Sequence, residues 1–253
     1  MLEDLLVFQP SPWEDRNWAP LSGLPLEEVW LAVDEVVTVF GWFVEAGPTS
    51  PVLLWCHGNA GNVSHRVENM RLLYQRGFSL FIFDYRGYGR STGVPSEVGL
   101  YQDALAAYDY LIHQRRIASA RLLLFGRSLG AAVAGEVAVK RPVPGLIVEG
   151  SFPSIQAMSD QHFWGVPARW LMDLEFNLAA KVHALHVPLL VIHGEQDSIV
   201  PMELGRQVFD AAHEPKRWYV VSGAEHNDVP YVGGEPYFQE INMFVQRVLS
   251  KQK

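Results

Sequence analysis

The fold of this chain is decided by the stretch LLLFGRSLG at residues 122–130. Its apolar first half is typical of a buried strand, and the small residues that follow Gly130 are typical of a tightly packed helix. Between them lies Gly-x-Ser-x-Gly, the pattern of a sharp strand-to-helix turn that lifts one serine hydroxyl above a sheet. Gly126 and Gly130 are needed because a Cβ there would collide with the neighbouring strand and helix. The stretch therefore predicts Ser128 as a nucleophile.

A serine nucleophile in such a turn needs an acid and a base later in the chain, in the order Ser, Asp or Glu, His. Residues 188–192 predict a strand buried on both faces, and Asp197 follows that strand. His226 follows a second short strand, at residues 217–221. Asp also suits turns, and His is common in surface loops, but neither alternative explains the order at successive strand ends. We therefore expect His226 to act as general base and Asp197 to orient it.

A second carboxylate, Asp228, lies two residues after His226. A neighbour that close in a loop is poorly placed to meet the ring nitrogen that faces away from Ser128. We expect Asp228 to stabilise the following turn instead.

Acyl transfer also requires N–H donors for the oxyanion of the tetrahedral intermediate. The first expected donor is the backbone N–H of Leu129, which follows the nucleophile at a helix N-terminus. The second is expected from the loop HGNAGN at residues 57–62, whose glycines let the backbone approach a substrate. Within that loop Asn59 is the first candidate and Ala60 the second. His57 is expected to brace the loop rather than to catalyse.

The motifs HGNAGN, FDYRGYGRS, FGRSLG, HGEQD and EHND together resemble the α/β-hydrolase superfamily. The resemblance runs from about Phe8 to the last helix. It is closest to single-domain serine hydrolases related to the membrane-anchored depalmitoylase-like proteins of eukaryotes and their soluble bacterial relatives. It implies Ser128, Asp197 and His226 as a triad that hydrolyses acyl esters or thioesters without metal or organic cofactor. The chain differs in carrying neither an N-terminal membrane span nor a cysteine cluster, and in having Glu225 where relatives commonly carry a neutral residue.

Length and composition agree with one domain over residues 1–253. An apolar content of 49% supplies a sizeable core, and a net charge of −8 with scattered basic residues argues against a nucleic-acid partner. No apolar run approaches the roughly 18 residues that span a bilayer, and the first residues do not form a signal peptide. The single cysteine, Cys56, excludes an intramolecular disulfide and is expected to be an inert core thiol. We therefore expect a cytoplasmic protein, and the oligomeric state stays open.

No histidine, cysteine or carboxylate cluster has the spacing of a metal site, so neither a metal nor another cofactor is expected.

Alternating strand and helix patterns predict an α/β-hydrolase fold: a mostly parallel sheet of about eight strands with helices on both faces. Residues 29–33 and 36–43 predict an opening antiparallel pair, and residues 236–249 predict a closing helix. Asp84 and Arg86 are expected to form a local ion pair.

The segment 152–186 is far longer than an ordinary connection, and such insertions are commonly functional. We expect it to form a small helical cap that encloses a compact apolar pocket over Ser128. The alternative is a packing unit that does not touch substrate. The candidate pocket residues are Phe163, Trp164, Trp170 and Met172.

The sequence thus predicts a serine hydrolase acting on small carboxylic esters or thioesters of short to medium acyl chains. A peptidase or amidase with the same triad is the enzymatic alternative, since one triad serves both reactions. A catalytically silent binding protein with the same fold is the other alternative. The intact set of Ser128, Asp197 and His226 weighs against a silent protein, which has no physical need for all three.

Overall fold

The computed structural model describes residues 7–16, 18–162 and 174–250. Within these residues one sheet contains eight strands. They are β1 Glu27–Ala32, β2 Thr38–Val44, β3 Val52–Cys56, β4 Ser79–Phe83, β5 Leu122–Arg127, β6 Leu146–Glu149, β7 Leu189–Gly194 and β8 Lys216–Val221. Their spatial order is β8-β7-β6-β5-β3-β4-β2-β1. β3 to β8 are mutually parallel, whereas β2 is antiparallel to both neighbours, which confirms the predicted sheet and its opening pair.

Helices cover both faces of this sheet. The α-helices of the described residues are α1 Trp18–Ser22, α2 Val67–Tyr74, α3 Glu97–Asp109, α4 Leu129–Lys140, α5 Ile155–His162, α6 Leu178–Ala184, α7 Met202–Ala211 and α8 Val229–Ser250. One apolar cluster joins the sheet to α3, α4, α6 and α7, and a second joins the opposite face to α2 and α8. Burial on both faces explains why β3, β4 and β5 are buried along their whole length. The α/β-hydrolase fold predicted from the sequence is confirmed.

The closing helix is longer than the predicted range of residues 236–249. α8 starts at Val229 and is interrupted at Gly234, whose φ of 50° and ψ of −142° are not helical. Pro236 lies in the first turn after this break, where its missing N–H costs no hydrogen bond. The segment before this break was not predicted from the sequence, because two glycines and a proline interrupt its helical pattern.

The predicted cap is described only at its two ends. α5 and α6 belong to it, while Phe163, Trp164, Trp170 and Met172 lie outside the described residues. A single domain over residues 1–253 with a cap at 152–186 therefore stays a prediction. The parallel strands bring the loops that follow β3, β5, β6, β7 and β8 to one edge of the sheet, where α/β folds bind their ligands.

Candidate active site

Ser128 occupies the turn between β5 and α4. Its φ of 52° lies in a region that residues with a Cβ seldom adopt, and such strain is concentrated at functional sites. The strained residue is held by its backbone: Ser128 N–H donates to the carbonyl of Glu149 at 2.8 Å, and its own carbonyl accepts from Ala131 N–H at 2.9 Å. The side chain remains half-exposed. The turn thus presents one hydroxyl at the sheet edge.

The glycines around Ser128 are required for close packing. A Cβ on Gly126 would lie 2.5 Å from Cα of Ala131, at the start of α4. A Cβ on Gly130 would overlap the carbonyl oxygens of Cys56 and His57, at the end of β3. Both contacts agree with the reason given for these glycines from the sequence.

Asp197 and His226 meet at the ends of β7 and β8. Nδ1 of His226 lies 2.7 Å from Oδ2 of Asp197, and both side chains are nearly buried. The other oxygen, Oδ1, accepts the backbone N–H groups of Ile199 at 3.0 Å and Val200 at 2.7 Å. Burial acts to raise the pKa of Asp197, but the hydrogen bond and charge of His226 and the Val200 N–H outweigh it. The pKa of Asp197 therefore lies below its ordinary value, and the carboxylate is ionised at neutral pH.

Ser128 follows β5 and lies at the same end of the sheet as this pair, which follows β7 and β8. Within the described part of the chain, no hydrogen bond joins Oγ of Ser128 to the His226 ring. Such bonds are often long in enzymes without substrate and tighten when substrate binds. Because Nδ1 is occupied by Asp197, Nε2 is the ring nitrogen that remains to exchange a proton.

Gly150 lies directly against the imidazole of His226. It follows β6, has a φ of 54°, and a Cβ built on it would lie 2.9 Å from Cε1 and 3.1 Å from Nδ1 of His226. The ring therefore occupies the space that any larger residue would fill. The sequence analysis missed this glycine, although a glycine directly after a buried strand at the active edge is a usable signal.

A buried ionic group connects the serine turn to the histidine loop. The Arg127 guanidinium donates to the carbonyl of His226 and, at 3.1 Å, to Oδ1 of Asn227. Its Nε lies 3.1 Å from Oε1 of Glu149, whose Oε2 accepts from the Tyr237 hydroxyl at 2.6 Å. Arg127 thus joins the serine turn to Glu149, and it also fixes the backbone of the loop that carries His226.

Asp228 and Glu225 hold the histidine loop in shape. Oδ1 of Asp228 accepts Glu225 N–H at 2.7 Å, which closes the turn around His226. The prediction that Asp228 stabilises the following turn is therefore wrong for its side chain, which bonds back to the preceding turn. Oε2 of Glu225 accepts from Ser198, through its N–H at 3.0 Å and its hydroxyl at 2.9 Å. Since Ser198 follows Asp197, the side chain of Glu225 joins the acid loop to the base loop.

The HGN loop lies beside the nucleophile. A Cβ on Gly58 would be 3.4 Å from Cβ of Ser128, and the half-exposed Asn59 comes next in the chain. Nδ1 of His57 is 2.7 Å from the Gly58 carbonyl, and its ring lies 4.5 Å from that of Tyr85. Burial, reinforced by the charge of Arg66, lowers the pKa of His57 to about 3. A neutral, enclosed imidazole fits the predicted bracing role.

The predicted Asp84–Arg86 ion pair is wrong. Oδ1 of Asp84 turns inward and accepts Val63 N–H at 2.8 Å, and burial raises the pKa of Asp84 to about 7. Arg86 instead pairs with Asp103 on α3, with Nη2 of Arg86 and Oδ1 of Asp103 2.8 Å apart. The two side chains have different partners because Asp84 bonds to the segment that follows the HGNAGN loop, whereas Arg86 bonds to α3.

No group of histidine, cysteine and carboxylate side chains in the described residues is arranged to hold a metal ion. Burial raises the pKa of the Cys56 thiol and disfavours its nucleophilic thiolate form. Among the same described residues, each helix is too short or too polar to cross a membrane.

Several known proteins are similar to this chain in sequence or in fold. Residues 47–181 match the family described as "Serine aminopeptidase, S33". An uncharacterized protein of Mycobacterium tuberculosis is 40% identical over 207 residues, which cover 81% of this chain and 74% of that protein. The α/β hydrolase domain-containing protein WAV2 of Arabidopsis thaliana is 31% identical over 248 residues, covering 90% of this chain and 80% of that protein. Among solved structures, the Pyrococcus furiosus esterase Pf2001 is similar in fold, with a TM-score of 0.78, 19% identity, and coverage of 95% of this chain and 99% of that one.

The family match spans more than half of the chain, and the relative from Mycobacterium tuberculosis extends the similarity to most of it. The sheet order, the strained serine turn and the order of the motifs are those of the same superfamily. The chain belongs to the α/β-hydrolase superfamily, in the family described as serine aminopeptidase S33, and is a hydrolase.

Proposed function

We propose that this hydrolase uses Ser128 to cleave carboxylic esters or thioesters of short to medium acyl chains through an acyl-enzyme intermediate. The observation that carries the proposal is the 2.7 Å contact between His226 and an ionised Asp197 at the edge where the strained Ser128 stands. A carboxylate bound to Nδ1 leaves Nε2 free to accept a proton, which is what a serine nucleophile requires.

In the proposed cycle, Oγ of Ser128 attacks the acyl carbonyl while Nε2 of His226 takes the hydroxyl proton. Asp197 keeps the imidazole in the reactive tautomer and stabilises its positive charge. The N–H groups of Leu129 and Asn59 bind the oxyanion. His226 then protonates the departing alcohol or thiol, and the acyl group stays on Ser128. Water, activated by His226, releases the acid and restores the serine.

A fluorophosphonate probe tests the nucleophile directly. It is expected to label Ser128 alone, because a hydroxyl reacts quickly only when it is activated beside an oxyanion hole. The labelled peptide is identified by mass spectrometry. Ser128→Ala is the control and should fold normally, since the side chain is half-exposed. Labelling of Ser128→Ala at the wild-type rate would exclude Ser128 as the nucleophile.

A peptidase is the enzymatic alternative, because the matching family is described as an aminopeptidase family. Turnover of p-nitrophenyl esters and of aminoacyl p-nitroanilides on the same preparation separates the two reactions. We expect the ester to be the better substrate. A faster anilide reaction that is lost in Ser128→Ala would establish a peptidase instead. A protein that hydrolyses neither substrate and is not labelled by the fluorophosphonate would be a binding protein.

Acyl-chain preference tests the proposed pocket. If the cap encloses a compact apolar cavity, as proposed, butyryl to octanoyl esters should be hydrolysed faster than long-chain triglycerides. The measurement is kcat/KM for a homologous series of p-nitrophenyl esters, followed by the rate on emulsified long-chain lipid. If the emulsion is hydrolysed faster than the hexanoyl ester, the proposed substrate class is wrong.

A further inference from the structure

The N-terminal arm, defined here as residues 7–12, lies against the loop that carries the proposed oxyanion donor. Gln9–Pro10 pairs in parallel with Ala60–Gly61, with Gln9 opposite Ala60 and Pro10 opposite Gly61. The N–H of Ser11 continues the pairing to the carbonyl of Gly61 at 3.3 Å. This contact joins segments about fifty residues apart in sequence, and it lies outside the main sheet.

The side chain of Asn59 makes three hydrogen bonds. Its Nδ2 donates to the carbonyl of Val7 at 2.5 Å. Its Oδ1 accepts from the backbone N–H of Gln9 at 3.3 Å and from the hydroxyl of Tyr88 at 2.8 Å. Two of these partners belong to the arm, and the third belongs to the loop that follows β4. The residue whose backbone N–H is the proposed donor is therefore held by its own side chain.

Asn62 repeats the arrangement at the other end of the loop. Its buried Nδ2 donates to the carbonyls of Ser11 at 3.2 Å and Pro12 at 3.1 Å. Its Oδ1 accepts from the N–H of Ser64 at 3.0 Å and from the Ser64 hydroxyl at 2.6 Å. The arm thus bonds to the side chains of both asparagines of the HGNAGN motif.

The arm is itself anchored to the body of the protein. Phe8 is 3% exposed and meets Phe176 edge-on, with ring centres 6.1 Å apart. Just past the arm, Trp13 packs on Phe40 at 5.3 Å and on Trp42 at 5.5 Å. Because it is fixed on both sides of the pairing, the arm can restrain the loop instead of following its motion.

The loop needs such a restraint. β3 ends at Cys56, so the main sheet does not hold the segment beyond it, and Gly58 and Gly61 add backbone freedom. Oxyanion stabilisation depends on donors that are already in place when the charge develops, at about 2.7–3.1 Å from the oxygen. A loop that samples other positions would lose that stabilisation while still allowing substrate to bind.

We propose that residues 7–12 and Tyr88 form a clamp on the Asn59 side chain that positions the Asn59 N–H for the transition state. Tyr88 and the arm are positioning residues in this proposal, and Asn62 reinforces them. The inference rests on the proposed function, because it assigns the Asn59 N–H to the oxyanion hole.

Two variants test the clamp. Tyr88→Phe removes one hydroxyl and should lower kcat about fivefold. Asn59→Ala releases all three contacts and should lower kcat about thirtyfold. Both effects are smaller than the roughly 10²- to 10³-fold loss that follows removal of a whole oxyanion donor, because the Asn59 N–H itself is kept. KM should change less than about threefold, and the affinity for a trifluoromethyl ketone, whose adduct carries an oxyanion, should fall in parallel with kcat/KM. In the Asn59→Ala background, Tyr88→Phe should have no further effect on kcat, since the two act through one side chain.

Tyr108→Phe is the matched control. Tyr108 is also a buried tyrosine, and its hydroxyl donates to the Pro142 carbonyl at 2.6 Å, near the amino ends of the strands. It should lose a similar amount of thermal stability and keep kcat within about twofold. If Tyr88→Phe and Asn59→Ala lose stability but keep kcat, while wild type is labelled at Ser128, the clamp alone is overturned. If wild type is not labelled at Ser128, the proposed function falls, and the clamp falls with it.

Discussion

Replacing Asp197 with Asn is expected to lower kcat by about 10⁴-fold, the scale found when a triad carboxylate becomes an amide. The contacts of this carboxylate explain why. Oδ1 accepts the N–H groups of Ile199 and Val200, so in Asp197→Asn the amide oxygen is held in that place. The NH2 group then faces Nδ1 of His226 and needs an acceptor there. The ring proton moves to Nε2, which can no longer take the proton of Ser128.

The control for this substitution is Asp228→Asn. Oδ1 of Asp228 accepts the Glu225 N–H, and an amide oxygen can accept the same bond. We expect kcat to fall by less than about tenfold, mainly through a looser turn. Both variants are measured at saturating ester and at the same concentration of folded protein. If Asp228→Asn proves the more damaging of the two, Asp197 is not the third member of the triad, although Ser128 and His226 can still be its first two.

The sequence predicted those parts of the site that leave a local pattern. Gly-x-Ser-x-Gly between a strand and a helix has few physical alternatives, so Ser128 could be assigned with its two glycines. Asp197 and His226 followed from their positions after strands, because the carboxyl ends of parallel strands meet at one edge. The structure brings the two side chains to hydrogen-bonding distance.

The parts that the sequence did not predict depend on partners far along the chain. The Tyr237 hydroxyl reaches Glu149 across 88 positions, and Asn59 binds Val7 across 52. Asn and Tyr are ordinary loop and helix residues, and nothing in their immediate neighbourhood marks the contact. The Asp84–Arg86 pair failed for the opposite reason. Proximity in sequence suggested an interaction, but each side chain found a better partner in another element.

Gly150→Ala is expected to lower kcat/KM by about 10²-fold, since a small misplacement of a reacting group can cost that much. The added Cβ would lie 2.9 Å from Cε1 of His226 and 3.6 Å from Oδ2 of Asp197, which is too close for the ring to stay in place. The surroundings are closed, because Asp197 holds the imidazole at Nδ1 and Arg127 holds the carbonyl of the same residue. The ring must therefore tilt, and Nε2 leaves the position from which it serves Ser128.

Backbone strain has to be separated from this contact, and Gly77→Ala does so. Gly77 has a φ of 85° and no atom within 4 Å of an added Cβ, and it lies between α2 and β4, at the edge of the sheet opposite to Ser128. A left-handed conformation costs a residue with a Cβ about 1 kcal/mol, so Gly77→Ala reports the strain alone, and Gly150→Ala adds the contact with the imidazole and should lose more thermal stability. Only Gly150→Ala should lose kcat/KM and react slowly with a fluorophosphonate. If the two variants are equally destabilised and equally active, the contact between Gly150 and the imidazole has no part in catalysis.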